Sequence, residues 1–277
     1  MYRPTKIAFL AALLFTASSC QQQANSNDQA AAGDANSADP LTGTWMADLA
    51  SVQIEQKPDV YLLKDGKYEC STCIPPLSLA ADGAFHPVAD RPYFDSMSMA
   101  VVDDKSVKMV RRKGTDVIGE TTATVSADGN TLTYDWKNSP VGKPATTGKT
   151  FETRVAAAPQ GAHAMSGSWK TEKYEGISED GLTFSFAVAG DTVTMNAKTG
   201  ENYEAKLGGP EVAMANDDGG TMVKVERLAP DSIRETSSRA GKVVNVTTFT
   251  AGADGKLNVE SSDPRDGSML RYTASRK

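Results

Sequence analysis

Cys70-Ser71-Thr72-Cys73 is the one constellation in this sequence with reactive character. Two cysteines separated by two residues suit a local disulfide, a redox-active dithiol or half of a metal site. The redox reading requires Cys70 at a helix N-terminus, where the helix dipole lowers a thiol's pKa. Ile74-Pro75-Pro76 follows at once, and a residue before proline is pushed out of the α region. A structural zinc site would require two further ligands. The spacing and its surroundings therefore favour a structural disulfide between Cys70 and Cys73, with no cofactor and no metal.

The remaining reactive side chains read as ordinary. His86 precedes Pro87 in a loop, and His163 sits in a stretch rich in Ala, Gly and Pro; neither has a Ser, Cys or carboxylate at a spacing that local geometry could use for catalysis. Asp103-Asp104 and Asp217-Asp218-Gly219-Gly220 lack the ligand ladder of a calcium loop and read as turns. No dinucleotide fingerprint, phosphate loop or His-Glu-x-x-His occurs, so the sequence nominates no catalytic residue. The formal charge is −6 over 277 residues. Such a surface repels phosphate backbones, which excludes nucleic acid as a partner.

The first twenty residues have the form of an export signal. Arg3 and Lys6 precede the apolar run Ile7 to Phe15, and small residues Ala17-Ser18-Ser19 precede Cys20. The run is too short to span a bilayer, which takes about 20 residues, and it fits a signal core. The Ala-Ser-Ser-Cys ending resembles the lipobox of bacterial lipoproteins, in which the cysteine is lipidated and becomes the mature N-terminus; here that residue is Cys20. The alternative is cleavage by the general signal peptidase, which would leave Cys20 as a stray thiol. Residues 21–40 contain no apolar side chain larger than Ala apart from proline, so 20–40 reads as a disordered tether behind a signal peptide at 1–19. By the resemblance, Gln21 after the cysteine implies sorting to the outer membrane, with the protein facing the periplasm.

An internal repeat organises the rest. Leu41-Thr42-Gly43-Thr44-Trp45 recurs 124 residues later as Met165-Ser166-Gly167-Ser168-Trp169. At an offset of 126, Ser126-Ala127-Asp128-Gly129 matches Gly252-Ala253-Asp254-Gly255. The repeats span 41–156 and 165–277, with 157–164 as a linker. Within each repeat the hydrophobic period is two, as in Leu132-Thr133-Tyr134-Asp135-Trp136 and in Leu182-Thr183-Phe184-Ser185-Phe186, which predicts half-buried strands. Hairpin signals separate them at Asp65-Gly66, Asp82-Gly83, Asp128-Gly129, Ala189-Gly190 and Asp254-Gly255. The predicted fold is all-β: about eight strands per repeat, each repeat closing into its own antiparallel up-and-down barrel because closure removes sticky edges. The competing architecture is one larger sheet shared by both repeats.

Gly43-Thr44-Trp45 and Gly167-Ser168-Trp169, each opening a meander, resemble the Gly-x-Trp signature that opens lipocalin-like (calycin) barrels. The whole of 41–277 resembles a group of bacterial lipocalin-like proteins of uncharacterised function in which Gly-Thr-Trp, Tyr-Glu-Cys-x-x-Cys and Ser-x-Asp-Gly recur. The resemblance implies that each Trp plugs a barrel end and pairs with an Arg near the last strand. Arg154 and Arg271 are available, with Arg154 on the face opposite Phe151 and Val155. It also implies a non-enzymatic binding module for a small apolar ligand or lipid, held to the membrane through Cys20. The alternatives are a structural or interaction lipoprotein with self-filled barrels, meeting another envelope protein, and a CxxC redox protein. A measured interior volume discriminates the first two, since a ligand site needs about 300 Å³.

Overall fold

The computed structural model describes residues 39–277; the signal peptide, Cys20 and all but the last two residues of the tether lie outside the described residues. The chain is all-β and forms two nearly closed antiparallel barrels. In chain order the strands are β1 (Gly43–Ala47), β2 (Gln53–Glu55), β3 (Asp59–Lys64), β4 (Lys67–Cys70), β5 (Leu77–Ala80), β6 (Asp82–Pro87), β7 (Ser96–Val101), β8 (Ser106–Lys113), β9 (Asp116–Val125), β10 (Thr131–Asn138) and β11 (Thr146–Ala156). The second half continues with β12 (Gly167–Glu175), β13 (Thr183–Ala189), β14 (Thr192–Ala197), β15 (Asn202–Lys206), β16 (Val212–Ala213), β17 (Met222–Ala229), β18 (Ser232–Arg239), β19 (Lys242–Ala251), β20 (Leu257–Asp263) and β21 (Ser268–Arg276).

The barrels do not coincide with the repeats. β12, which opens the second repeat, lies between β11 and β3 in the first barrel; β1, which opens the first repeat, lies between β13 and β21 in the second. The repeats have exchanged their first strands. Residues 59–175 make one barrel, and 183–276 with β1 and β2 make the other. This corrects the expectation that 41–156 and 165–277 each fold alone, and it is also not one shared sheet. β11 and β12 are neighbours in sequence and pair as an antiparallel hairpin across residues 157–166, as consecutive strands commonly do. The second barrel is then left with a gap that only β1 can fill.

Local patterning fixes most of the elements. Leu132, Tyr134 and Trp136 on β10 and Phe184 and Phe186 on β13 point inward and are buried. Asp65 and Gly66 both adopt positive φ, 52° and 72°, as a two-residue hairpin turn between β3 and β4 demands. Asp82-Gly83 does not turn the chain. It lies within β6, where the register shifts between Asp82 and Phe85, and β5 and β6 are the two edges at which the first sheet meets itself. With that near-continuous bent strand counted once and the short β2 and β16 set aside, each repeat has nine strands, against about eight expected.

Each barrel is capped by the other repeat's tryptophan. Trp169 is fully buried and its indole N–H donates to Met165 O at 2.9 Å; Trp45 does the same to Leu41 O at 2.9 Å. Arg154 stacks over Trp169 with its guanidinium carbon 3.9 Å from the ring centre, and donates to the carbonyls of Ser166 and Ala164 at 2.8 and 2.7 Å. In the second barrel the matching arginine is Arg276, 4.4 Å over Trp45 and bonded to the carbonyls of Thr42 and Pro40 at 2.6 and 2.7 Å. Arg271 instead pairs with Glu55 and Glu260 on the outer face. Glycine precedes each motif for two reasons: Gly167 sits at φ +121°, and a Cβ there would come within 2.7 Å of the Arg154 guanidinium.

Candidate functional site

The arginine caps put the two barrels in register and show where they differ. Counting back from the capping arginine along the last strand, the inward residues of β21 are Ala274, Tyr272 and Leu270, whereas β11 offers Glu152, Thr150 and Gly148. Opposite the tryptophan and glycine of each motif, β13 places Phe184 and Phe186, whereas β3 places Asp59 and Tyr61. The second barrel therefore fills itself. Phe184, Phe186 and Phe249 pack with ring centres 4.9–6.0 Å apart, leaving a cavity of about 30 Å³. The first barrel has small or polar groups at the same positions, and a chamber of about 390 Å³ opens from its interior.

The chamber begins among Tyr61, Tyr134, Trp136 and Glu152 and extends through the mouth of the first barrel to that of the second, where Arg239, Asp263 and Ser268 line it. Cross-barrel contacts hold the mouths together. Tyr93 donates its hydroxyl to Asp217 at 3.0 Å and receives a hydrogen bond from Arg239, and Lys143 pairs with Glu201 at 3.0 Å. Asp217, read from sequence as a turn residue, does accept the Thr221 N–H at 2.7 Å but also carries this bridge.

Glu152 is the chemical centre of the chamber. It is 4% exposed, and among the described residues its Oε1 accepts from the hydroxyls of Tyr61 at 3.4 Å and Thr171 at 3.5 Å. Its Oε2 is buried and has no hydrogen-bond partner among the described residues, and neither has the Tyr134 hydroxyl. Burial, reinforced by the Asp59 carboxylate, pushes the Glu152 pKa up to about 8. Burial and then Glu152 itself raise Tyr61 and Tyr134. The second barrel also buries a glutamate, Glu235, but satisfies it: Tyr203 donates to Oε2 at 2.8 Å and Ser237 to Oε1 at 3.3 Å. Burial raises it only to about 6 because those donors oppose the shift.

Comparison of the chain with protein-family models, with curated proteins and with solved structures gives no match. The fold and the chamber thus stand on their own geometry, which fits a tandem lipocalin-like architecture.

Of the residues singled out from sequence, Cys70 at the end of β4 and Cys73 in the loop that follows are at disulfide distance, 2.06 Å, with no helix beside them. Cys73 lines the chamber, and Thr72 within the same loop donates to Asp59 at 3.0 Å. The bridge thus steadies the loop that holds one of the chamber's carboxylates. A ring closed over two intervening residues restrains little chain entropy, so its contribution falls below the ~3 kcal/mol of a 15-residue loop. Replacing both cysteines by serine is expected to lower the melting temperature of the first barrel by a few degrees and leave the second unchanged, which segment-resolved hydrogen exchange would measure. His86 pairs with Asp82 at 2.8 Å. His163 accepts the Met165 N–H at Nδ1 and donates from Nε2 to Asp103 O at 2.7 Å, tying the linker to the first barrel. The sequence reading missed Glu152 entirely. The one available signal was Gly148, Thr150 and Glu152 at alternate positions in a strand whose inward face should be apolar.

Proposed function

We propose that this protein is a lipid-anchored envelope protein whose first barrel binds a small, largely apolar molecule in the chamber at its mouth, without catalysing a reaction on it. One observation carries the reading. The cavity of about 390 Å³ exceeds the roughly 300 Å³ at which small-molecule sites begin, while the equivalent space in its sister barrel is packed shut. Aromatic walls with a few convergent polar groups are the usual make-up of such a site. The second reading, a structural or interaction module, is favoured by the self-filled core of the second barrel, which supplies one side of the chamber mouth and no room of its own.

The neutral probe N-phenyl-1-naphthylamine tests the binding reading. It is expected to bind the folded protein saturably at one site, with energy transfer from Trp136 on the chamber wall. Thr150→Tyr places at this position the residue that fills the second barrel, Tyr272, and is expected to reduce probe affinity at least tenfold while the protein still folds. Absence of saturable binding by the wild type sinks the reading.

The anchor rests on the sequence signals ending at Cys20. Cys20→Ser is expected to move the protein from the membrane fraction to a soluble or unprocessed form; a variant that fractionates with membranes like the wild type rules the anchor out.

A further inference from the structure

We propose that the chamber selects a ligand bearing an organic cation, such as a protonated amine on an apolar body, with Glu152 as its counter-ion. This deepens the binding reading and rests on it.

The geometry supplies three arguments. The first is the orphan acceptor. Glu152 Oε2 is buried, belongs to a chamber-lining residue and has no partner among the described residues. Leaving a buried acceptor without a hydrogen bond is unfavourable, and a cationic donor bound in the chamber would satisfy it. The second is the surrounding chemistry. Tyr61, Tyr134 and Trp136 line the chamber around this carboxyl, and aromatic rings attract cations through their quadrupoles. The third is that the chamber's own cations are engaged elsewhere. Arg91 donates to the carbonyls of Ile74 and Pro75, Arg111 to Asn138 at 2.7 Å, and Lys143 pairs with Glu201. Arg239 bonds Thr221 at 3.0 Å, and Arg265 pairs with Asp263 at 2.7 Å.

Where the filled barrel has Phe184 and Ala274, the hollow one has Asp59 and Glu152. A cavity built for a purely apolar ligand gains nothing from two carboxyls at its inner end. Among the described residues, the titratable groups facing Glu152 are Asp59 and Tyr61 on β3, Tyr68 on β4 and Tyr134 on β10, with Arg91 and Arg111 on the chamber wall. Because burial pushes the Glu152 pKa up to about 8, binding an ammonium near pH 7 is expected to release the carboxyl proton to the buffer and leave an ammonium–carboxylate pair.

The test uses three probes of matched shape, 2-phenylethylamine, 2-phenylethanol and 3-phenylpropionate, titrated calorimetrically at pH 7 in two buffers of different ionisation enthalpy. The amine is expected to bind at least tenfold more tightly than the alcohol, with the carboxylate weakest, and only the amine releases close to one proton. Glu152→Gln, which keeps the shape and loses the charge, is expected to bring the amine down to the alcohol's affinity and abolish the proton release. Equal affinities for amine and alcohol, or an unchanged Glu152→Gln, overturn the proposal. A carboxylate that binds tightest also overturns it and moves the specificity to Arg91, whose Nε is an unpartnered buried donor. The naphthylamine probe separates the two readings. If it binds while the amine has no advantage, only the cation inference fails; if no probe binds, the chamber reading fails with it.

Discussion

A fragment spanning residues 57–177 is expected to melt as one cooperative β-rich unit, whereas fragments cut at the repeat boundary, 41–156 and 165–277, are not. The physical reason is the exchange of first strands. The fragment 57–177 contains β3 to β12 and therefore every partner of the first barrel, including the Arg154–Trp169 cap. The fragment 165–277 carries β12, which has no partner there, and lacks β1, whose loss opens β13 and β21 and removes Trp45 from the core. Deleting a buried tryptophan side chain alone costs about 3–5 kcal/mol, and two bare strand edges invite association. A peptide of residues 39–56 added to a fragment 178–277 is expected to restore the cooperative transition. A monomeric, cooperative 165–277 beside an unfolded 57–177 would show that the strands are not exchanged. Circular dichroism melts with sedimentation equilibrium check each case.

The second large effect concerns pH. Glu152 has a pKa of about 8 in the folded chain against a reference value of 4.5. Below 4.5 both folded and unfolded chains hold the proton, and its contribution is constant. Between 4.5 and 8 the unfolded chain releases the proton and the folded chain keeps it, so stability declines as pH rises, by up to about 1.4 kcal/mol per unit. Above 8 the decline stops. Glu235, raised to about 6, adds a smaller decline between 4.5 and 6. Glu152→Gln removes the first contribution. It is expected to be more stable than the wild type at pH 8 by on the order of 4 kcal/mol, with little advantage at pH 4.5. Denaturant midpoints at the two pH values measure this. A variant that shows the same pH dependence as the wild type means that the glutamate is not held protonated.

The sequence made the strands legible because their inward faces alternate cleanly, and it made the capping motifs legible because Gly-x-Trp stands out twice. Partner choice was not legible. Alternation reports which face of a strand is buried but carries no information on which neighbour buries it, so β1 and β12 read equally well in either barrel. Arg154 shows a subtler limit. Its alternation was readable, but Phe151 suggested the wrong inward face. Phe151 is only half-buried on the outside, with the Lys173 ammonium 4.9 Å from its ring, and the register shifts next to Glu152 and Ala156 blur the pattern. Asp82-Gly83 reads as a hairpin because a bulge and a turn call for the same positive φ. The chamber was hidden for a related reason: a polar residue on an inward face resembles a strand of poor periodicity until the neighbouring strands define the space it faces.

The exchanged strands also set the order in which the molecule can be completed. A chain synthesised from its N-terminus delivers β1 first, yet of the two strands it lies between, β13 comes far later and β21 last of all. The first barrel needs only neighbours in sequence apart from its closing contact between β3 and β12, so it can finish while the remainder is still emerging. The second must bring β1 to β21, with Trp45 beside Arg276, and such distant pairings form slowly. Because the second barrel's mouth supplies one wall of the chamber, that space is complete only when β1 and β21 have paired. Ligand uptake would then report that the whole chain has arrived and folded.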